Sequence, residues 1–424
     1  MEYIAEKKDN VFDKISFDLS QIDLGIYFKD KYNQISKMDS DIKKDYLTAL
    51  IKTFRENKYS VSTNLIEKYQ IEYDCRNNVN VVSGKNLIRK FLSNDFQNTL
   101  FIIDPIAFSN LKDYYSDELI VDPKHIKYIN DLITGEDLKR VFHYIQENSI
   151  ELLVGIGGGR TADLLKFISY ETGLPCIAIP TSLASHVYAS PKIHALSPIR
   201  EFGYKLTIDG SASDLALLDI SYLDYVFKSN KRLIMAGFGD LMAFWTALED
   251  WKLACNHNKN KFDLFVLEVI KDIFTMFESI DVEKQFNKWV RDYILIQNLL
   301  CHITDWVGSA PASGSEHLFA HTIEKYHQDS VPIHGELVAL GVIIFSSLHS
   351  LNQKNIIKLL DKFSIPRSLS EIGVTKENVV NALMDSKQYG NIKSRYTIVE
   401  ELNYNRKDWE LLISSLIEDK YILI

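Results

Sequence analysis

The residue types best suited to chemistry gather in the second half of the chain. Residues 313–321 read Ser-Gly-Ser-Glu-His-Leu-Phe-Ala-His, which sets His317 and His321 at i and i+4, on one face of a helix. His334-Gly335-Glu336 opens a further helical stretch, and Gly237-Phe-Gly239-Asp240 precedes a strong helix, which places Asp240 at a helix start. A single aspartate there reads equally well as an N-cap, and a single histidine as core packing. Three histidines and an aspartate, each near glycines at element starts, are a richer set. One carboxylate and two imidazoles suit a borderline divalent ion and leave a position open for substrate.

A second cluster lies in the first half. Gly155-Ile-Gly157-Gly158-Gly159 follows an apolar run and opens a helical one. Such a turn lets a pyrophosphate approach the backbone, where a helix N-terminus supplies unpaired N–H groups. The spacing matches neither GxGxxG nor GxxxxGK[ST], so a tight turn without ligand is the competing reading. Asp163 and Lys166 stand one helical turn apart just beyond it. Pro180-Thr181-Ser182-Leu-Ala-Ser185 brings hydroxyls to the end of the next apolar run, where doubly wound sheets bind ligands.

The elements that must hold these residues alternate. Residues 79–82, 99–103, 150–154 and 176–179 read as strands, and 86–92, 136–148 and 161–170 as helices. That order predicts a parallel α/β sheet with right-handed crossovers. Beyond about residue 232 the apolar positions keep a helical period through 241–255, 262–277, 285–303 and 337–351. The expected organisation is an N-terminal extension over 1–75, an α/β nucleotide-binding domain over 76–230 and an all-α metal-binding domain over 231–424. In the extension, residues 44–58 place Leu47, Leu50, Ile51 and Phe54 on one helical stripe.

Composition narrows the class. A net charge of −9 argues against a general nucleic-acid binder. The four cysteines are scattered with no CxxC pair, which fits reduced thiols in a cytoplasmic protein. The N-terminus is charged from its second residue, unlike a signal peptide, and the longest apolar run falls short of the ~18 residues of a membrane span.

Taken in order, these motifs resemble the superfamily of iron-containing (group III) alcohol dehydrogenases and dehydroquinate synthases. Its members carry a GGG turn, a Pro-Thr strand end with hydroxyls after it, a GxGD segment, a helix histidine and a final HGE. Ser313–His321 and Ala189-Ser-Pro191 look most like the sn-glycerol-1-phosphate dehydrogenase branch. The resemblance implies a Rossmann-like domain followed by a helical one. It implies metal ligands Asp240, His317 and His334, with zinc, nickel or iron as the ion. It sets the phosphates of NAD(H) or NADP(H) on Gly157, Gly158 and Gly159, with Asp104, Asp163, Thr181, Ser182 and Ser185 along the cofactor. His321 matches a histidine that contacts substrate or relays protons. The branch also carries an aspartate shortly after the Pro-Thr pair, which helps to hold substrate. Here His186 or Val187 takes its place, depending on the match, and neither is acidic.

The expected reaction is reversible reduction of dihydroxyacetone phosphate to sn-glycerol 1-phosphate, with His186, Lys192, Lys205 and His321 as substrate contacts. The alternative is a sugar-phosphate cyclase using the same metal and catalytic NAD. A homo-oligomer with a small phosphorylated substrate is expected.

Overall fold

The computed structural model describes residues 56–78, 80–116, 125–261, 263–326 and 332–424. The stripe of Leu47, Leu50, Ile51 and Phe54 lies outside them. The nearest described element is the helix Glu56–Lys68. The described residues form two compact units. One comprises the described residues from Glu56 to Phe238 together with Ser279–Trp306, and the other comprises Gly239–Glu278 and Val307–Ile424.

The first unit is built on a seven-stranded sheet. Its strands are β1 (Cys75–Asn78), β2 (Val81–Gly84), β3 (Thr99–Ile103), β4 (Ile126–Tyr128), β5 (Leu152–Gly157), β6 (Cys176–Pro180) and β9 (Leu215–Asp219). They lie in the order β1-β2-β9-β6-β5-β3-β4, and every pairing but β1–β2 is parallel. A separate antiparallel pair joins β7 (Lys192–His194) to β8 (Thr207–Asp209). Buried on both faces, β3, β5 and β6 are continuous apolar runs, as parallel strands are. Strand 99–103 falls where the sequence predicts it. The 150–154 strand starts later and runs on into the glycines, because Gly155 pairs with Ala178 and Gly157 with Pro180. Strand β9 is not anticipated, since Leu-Ala-Leu-Leu has no alternation to separate strand from helix.

Register lines up three strand ends. Ile103 pairs with Ile156, and Gly157 with Pro180. Asp104 N donates to Ile156 O (2.9 Å), and Thr181 N to Gly157 O (3.1 Å). Asp104, the glycine turn and Thr181 therefore sit side by side at the carboxyl edge of the sheet, the edge that binds ligands in open parallel sheets.

The second unit is helical. Its longer elements include Phe244–Asn256, Ser315–Tyr326, His334–Leu348, Lys376–Lys393 and Arg406–Glu418. Helix Phe286–Val307, expected within the helical 231–424 region, belongs almost wholly to the sheet unit. Its Tyr293 and Gln297 hydrogen-bond Leu183 O at 2.9 and 3.2 Å, and the Tyr293 ring stacks on Phe238 at 4.2 Å. No helix of the described residues is long and apolar enough to cross a membrane.

One local expectation is corrected. Asp240 does not start a helix. It lies at the end of Lys231–Leu241, where Met242 N bonds Gly239 O and Ala243 N bonds Asp240 O (3.2 Å each) in a tight turn before Phe244–Asn256. The glycines serve close approach instead of chain reversal. A Cβ on Gly237 would overlap Leu183 O and Tyr293 Oη, and one on Gly239 would overlap Gly335 O.

Candidate functional site

Backbone contact between Gly239 and Gly335 brings their neighbours Asp240 and His334 together. A second close approach supplies the third residue. A Cβ on Gly341 would lie 2.9 Å from Glu316 Cα, so helix His334–Leu348 packs directly on the helix that carries His317. The result is a compact triad. Nε2 of His317 is 3.2 Å and Nε2 of His334 3.7 Å from Asp240 Oδ1, and the three ligand atoms lie within 4.8 Å of one another.

Carboxylates fix both imidazoles from behind. Glu316 Oε1 is 2.8 Å from His317 Nδ1, and Glu324 Oε1 is 2.6 Å from His334 Nδ1. The other Glu324 oxygen meets His321 Nδ1 at 2.9 Å. Glu316 is anchored in turn by Gly314 N (2.6 Å) and Thr246 Oγ1 (2.7 Å). Holding each Nδ1 turns each Nε2 toward Asp240, the arrangement that orients histidines as metal ligands. Neither glutamate was singled out from sequence; the i, i+3 spacing of His321 and Glu324 was the available signal.

Charge completes the test of fit. Burial works against protonation of His317, yet Asp240 and Glu316 push its pKa up to about 9. Burial likewise opposes charge on His334, and Glu324 and Asp240 raise it. Burial would raise Glu324, but the imidazoles of His334 and His321 hold it well below the usual carboxylate range. Three carboxylates thus draw positive charge into a buried pocket. A divalent ion ligated by Asp240, His317 and His334 satisfies that demand with a donor set of the expected chemistry.

The glycine turn forms its own pocket in the sheet unit. Gly157, Gly158, Gly159, Thr161, Ser182, Ser185 and Tyr188 are among its lining residues. Gly157 has φ +159°, and a Cβ there would overlap Thr161 Oγ1. Gly158 has an extended φ of −90°, and a Cβ on it would meet nothing within 4 Å. Neither backbone strain nor protein packing requires glycine at 158, but open space over a helix N-terminus does suit a phosphate. Thr161 Oγ1 is buried without a hydrogen-bond partner among the described residues. It is an unsatisfied donor at the turn that no sequence motif marks.

Other expected contacts are placed differently. Asp104 caps helix Pro105–Tyr114, accepting from Ile106 N and Ala107 N at 3.0 Å each, and Thr181 is buried beside it. Asp163 stands apart from the pocket-lining residues. Its Oδ1 accepts from His194 N (3.1 Å) and lies 3.5 Å from Lys166 Nζ. Asp163 and Lys166 are a buried pair, not a surface pair. Burial pushes the Lys166 ammonium down, and Asp163 opposes that. Lys166 Nζ also donates to Ser190 O (3.0 Å) and Lys192 O (2.6 Å). With Gln297 bonding Tyr188 Oη (2.9 Å) and Tyr293 bonding Leu183 O, this pins the loop that carries Ser182 and Ser185. In that loop Val187 packs by the turn, 3.7 Å from where a Gly159 Cβ would stand, while the His186 carbonyl accepts from Ala189 N at 3.0 Å. Lys192 forms an ion pair with Asp209, and Lys205 is exposed.

A parallel sheet with a phosphate-ready turn and a helical unit with a buried divalent-ion triad define a class of protein that binds both a nucleotide and a metal. The comparisons with known proteins agree. The family model for iron-containing alcohol dehydrogenases matches residues 84–216. Glycerol-1-phosphate dehydrogenase [NAD(P)+] of Saccharolobus islandicus is 31% identical over 269 residues, 62% of this chain and 74% of the relative. The enzyme of the same name from Sulfurisphaera tokodaii is 28% identical over 326 residues, 76% and 88% of the two chains. A probable glycerol dehydrogenase from Sinorhizobium meliloti 1021 shares the fold, with TM-score 0.58, 17% identity and coverage of 80% and 96%. The chain belongs to the iron-containing alcohol dehydrogenase family. It is a metal-dependent, NAD(P)-linked oxidoreductase.

Proposed function

We propose that the chain interconverts sn-glycerol 1-phosphate and dihydroxyacetone phosphate. The observation that carries the reading is the Asp240–His317–His334 triad with each histidine Nδ1 held by a glutamate, in a chain similar to enzymes named for that alcohol. Zinc fits the ligand set best, with nickel and iron as competitors. When bound, the metal supplies Lewis-acid polarisation of the substrate oxygen, and the nicotinamide supplies or accepts hydride.

The protein's own groups do the rest. Asp240, His317 and His334 position the ion. Glu316 and Glu324 fix the imidazole tautomers. In the oxidative direction one alcohol loses a hydride to NAD(P)+ and a proton to the protein. His321 Nε2 takes that proton, because Glu324 holds Nδ1. Gly157, Gly158, Gly159 and Thr161 bind the pyrophosphate, with Ser182 and Ser185 alongside. We assign the enzyme to the cytoplasm as a homo-oligomer. The free thiols of Cys75, Cys176, Cys255 and Cys301 are in keeping with a reducing compartment.

The test is nicotinamide absorbance with purified, metal-loaded protein. sn-Glycerol 1-phosphate with NAD+ or NADP+ should give stoichiometric reduced cofactor, and dihydroxyacetone phosphate should consume it. Neutral glycerol should be at least roughly tenfold poorer, for loss of a charge-assisted contact. Consumption of a sugar phosphate with only catalytic NAD would transfer the assignment to a cyclase.

A further inference from the structure

The helical unit ends one of its helices in two cations that the chemistry described so far does not use. Lys393 is the last residue of Lys376–Lys393, and Ser394, in the left-handed conformation at φ 54°, turns the chain into Arg395. Tyr389 lies one turn before Lys393, on the same face. Its ring packs against the His321 ring, centroids 6.0 Å apart at 28°, and His321 stacks on the metal-ligating His334 at 5.1 Å. Lys393 Nζ stands 5.4 Å from the centre of the Tyr389 ring. A continuous row therefore leads from the metal triad through His321 and Tyr389 to the Lys393 ammonium.

Neither cation makes a close ion pair among the described residues, although Glu324 faces Lys393 and Glu316 and Asp250 face Arg395. Arg395 Nη2 donates to Ser309 Oγ at 2.7 Å, but Nη1 is buried with no hydrogen-bond partner among the described residues. Lys393 is half-exposed, at the helix C-terminus, where a cation is favoured. Here burial, then the neighbouring Arg395 charge, push the Lys393 pKa down to about 7, while Glu324 works the other way. Two half-buried cations side by side, one with a buried donor left unpartnered, form a site that an oxyanion would complete.

We propose that Lys393, with Arg395 beside it, forms the subsite for the substrate's phosphate group, at the far end of the His334–His321–Tyr389 row from the metal. The assignment rests on the reading that the substrate is a phosphorylated polyol or ketose, and it names the residues that select the phosphate. A three-carbon substrate would have its carbonyl oxygen at the triad and its phosphate at Lys393, with His321 between them.

Metal-loaded protein carrying Lys393→Met, Lys393→Arg or Arg395→Lys tests this. Two quantities are read: the ratio of kcat/KM for dihydroxyacetone phosphate to that for dihydroxyacetone, and binding of inorganic phosphate to the holoenzyme by titration calorimetry. Lys393→Met should lower the ratio roughly tenfold to hundredfold and weaken phosphate binding to a similar degree. Lys393→Arg should restore much of both, and Arg395→Lys should fall between. NADH affinity and metal content confirm that each variant is folded. If Lys393→Met loses activity equally on both ketones, or still binds phosphate as the unaltered protein does, the subsite is wrong. If the unaltered protein shows no preference for the phosphorylated ketone, the substrate reading fails by itself. Phosphate binding then decides the subsite: loss in Lys393→Met supports an oxyanion site for another substrate, and no binding to either protein overturns it.

Discussion

Glu324 accepts from two imidazoles at once, and that single carboxylate sets what His321 and His334 can do. Glu324→Gln keeps the shape but removes the charge and one acceptor. Metal affinity should fall roughly tenfold to hundredfold, measured by competition with a chromophoric chelator, and affinity unchanged from the parent would show that the glutamate is incidental. His317 makes a pH prediction for chelator-treated protein. Its pKa is about 9 in the folded chain against an ordinary value near 6.5. A raised histidine stabilises the fold fully below about pH 6.5, and that contribution is lost as pH rises through about 9. The urea midpoint should therefore decline across that window, and His317→Asn should flatten the slope. Metal binding needs the neutral ring, so it should strengthen over the same range. These residues differ in how far the sequence betrays them. His317 and His321 are visible because i, i+4 spacing is local. Lys393 and Arg395 are not, because only the packing of Tyr389 on His321 gives them meaning.

At the scale of elements, a glycine's residue type alone does not distinguish a helix boundary from a close backbone approach. Gly237-Phe-Gly239-Asp240 carries the residues of a helix boundary, and helix start was the natural inference. Gly239 is small because Gly335 O crosses it, a tertiary demand that no local pattern encodes. The strand-turn-helix at 152–172 was legible for the opposite reason. A buried parallel strand, a glycine turn and a helix are each local, and register with β6 only shifted the strand toward the glycines. The loop over 181–192 was legible in its hydroxyls but not in its restraint, since Lys166, Tyr293 and Gln297 reach it from elsewhere in the chain. Helix packing gives a direct prediction. Gly341→Ala would set a Cβ 2.9 Å from Glu316 Cα and 3.0 Å from Glu316 O, both backbone atoms that have little room to move. Overpacking of this kind costs about 1–3 kcal/mol, and here it would displace the residue that holds His317 Nδ1. Gly341→Ala should lower the urea midpoint and weaken metal binding together. Gly373→Ala, at φ +89° with open space, should lower the midpoint alone.

For the molecule as a whole, the two candidate sites are separable. Every candidate metal ligand and both supporting glutamates lie within 239–278 and 307–424, while the glycine turn, Thr161, Ser182 and Ser185 all lie in the other unit. A ligand perturbs a second site only through a difference in its affinity for two states of the protein. The triad and the lining of the glycine pocket share no residue, so the thermodynamic coupling should be small although turnover needs both ligands. Chelation should abolish turnover yet leave the NADH dissociation constant within about threefold, a coupling below roughly 0.7 kcal/mol. Gly158→Val should give the reverse pattern. Its side chain would fill the space over the helix N-terminus, so NADH binding should be lost while metal content stays at one ion per chain. Hydrogen exchange localises both effects. Metal removal should unprotect Ser315–Tyr326 and His334–Leu348, and NADH should protect the backbone near 157–163 in metal-free protein. If chelated protein no longer binds NADH, or Gly158→Val loses its metal, the two sites are linked and the separate assignment of ligands to units is wrong.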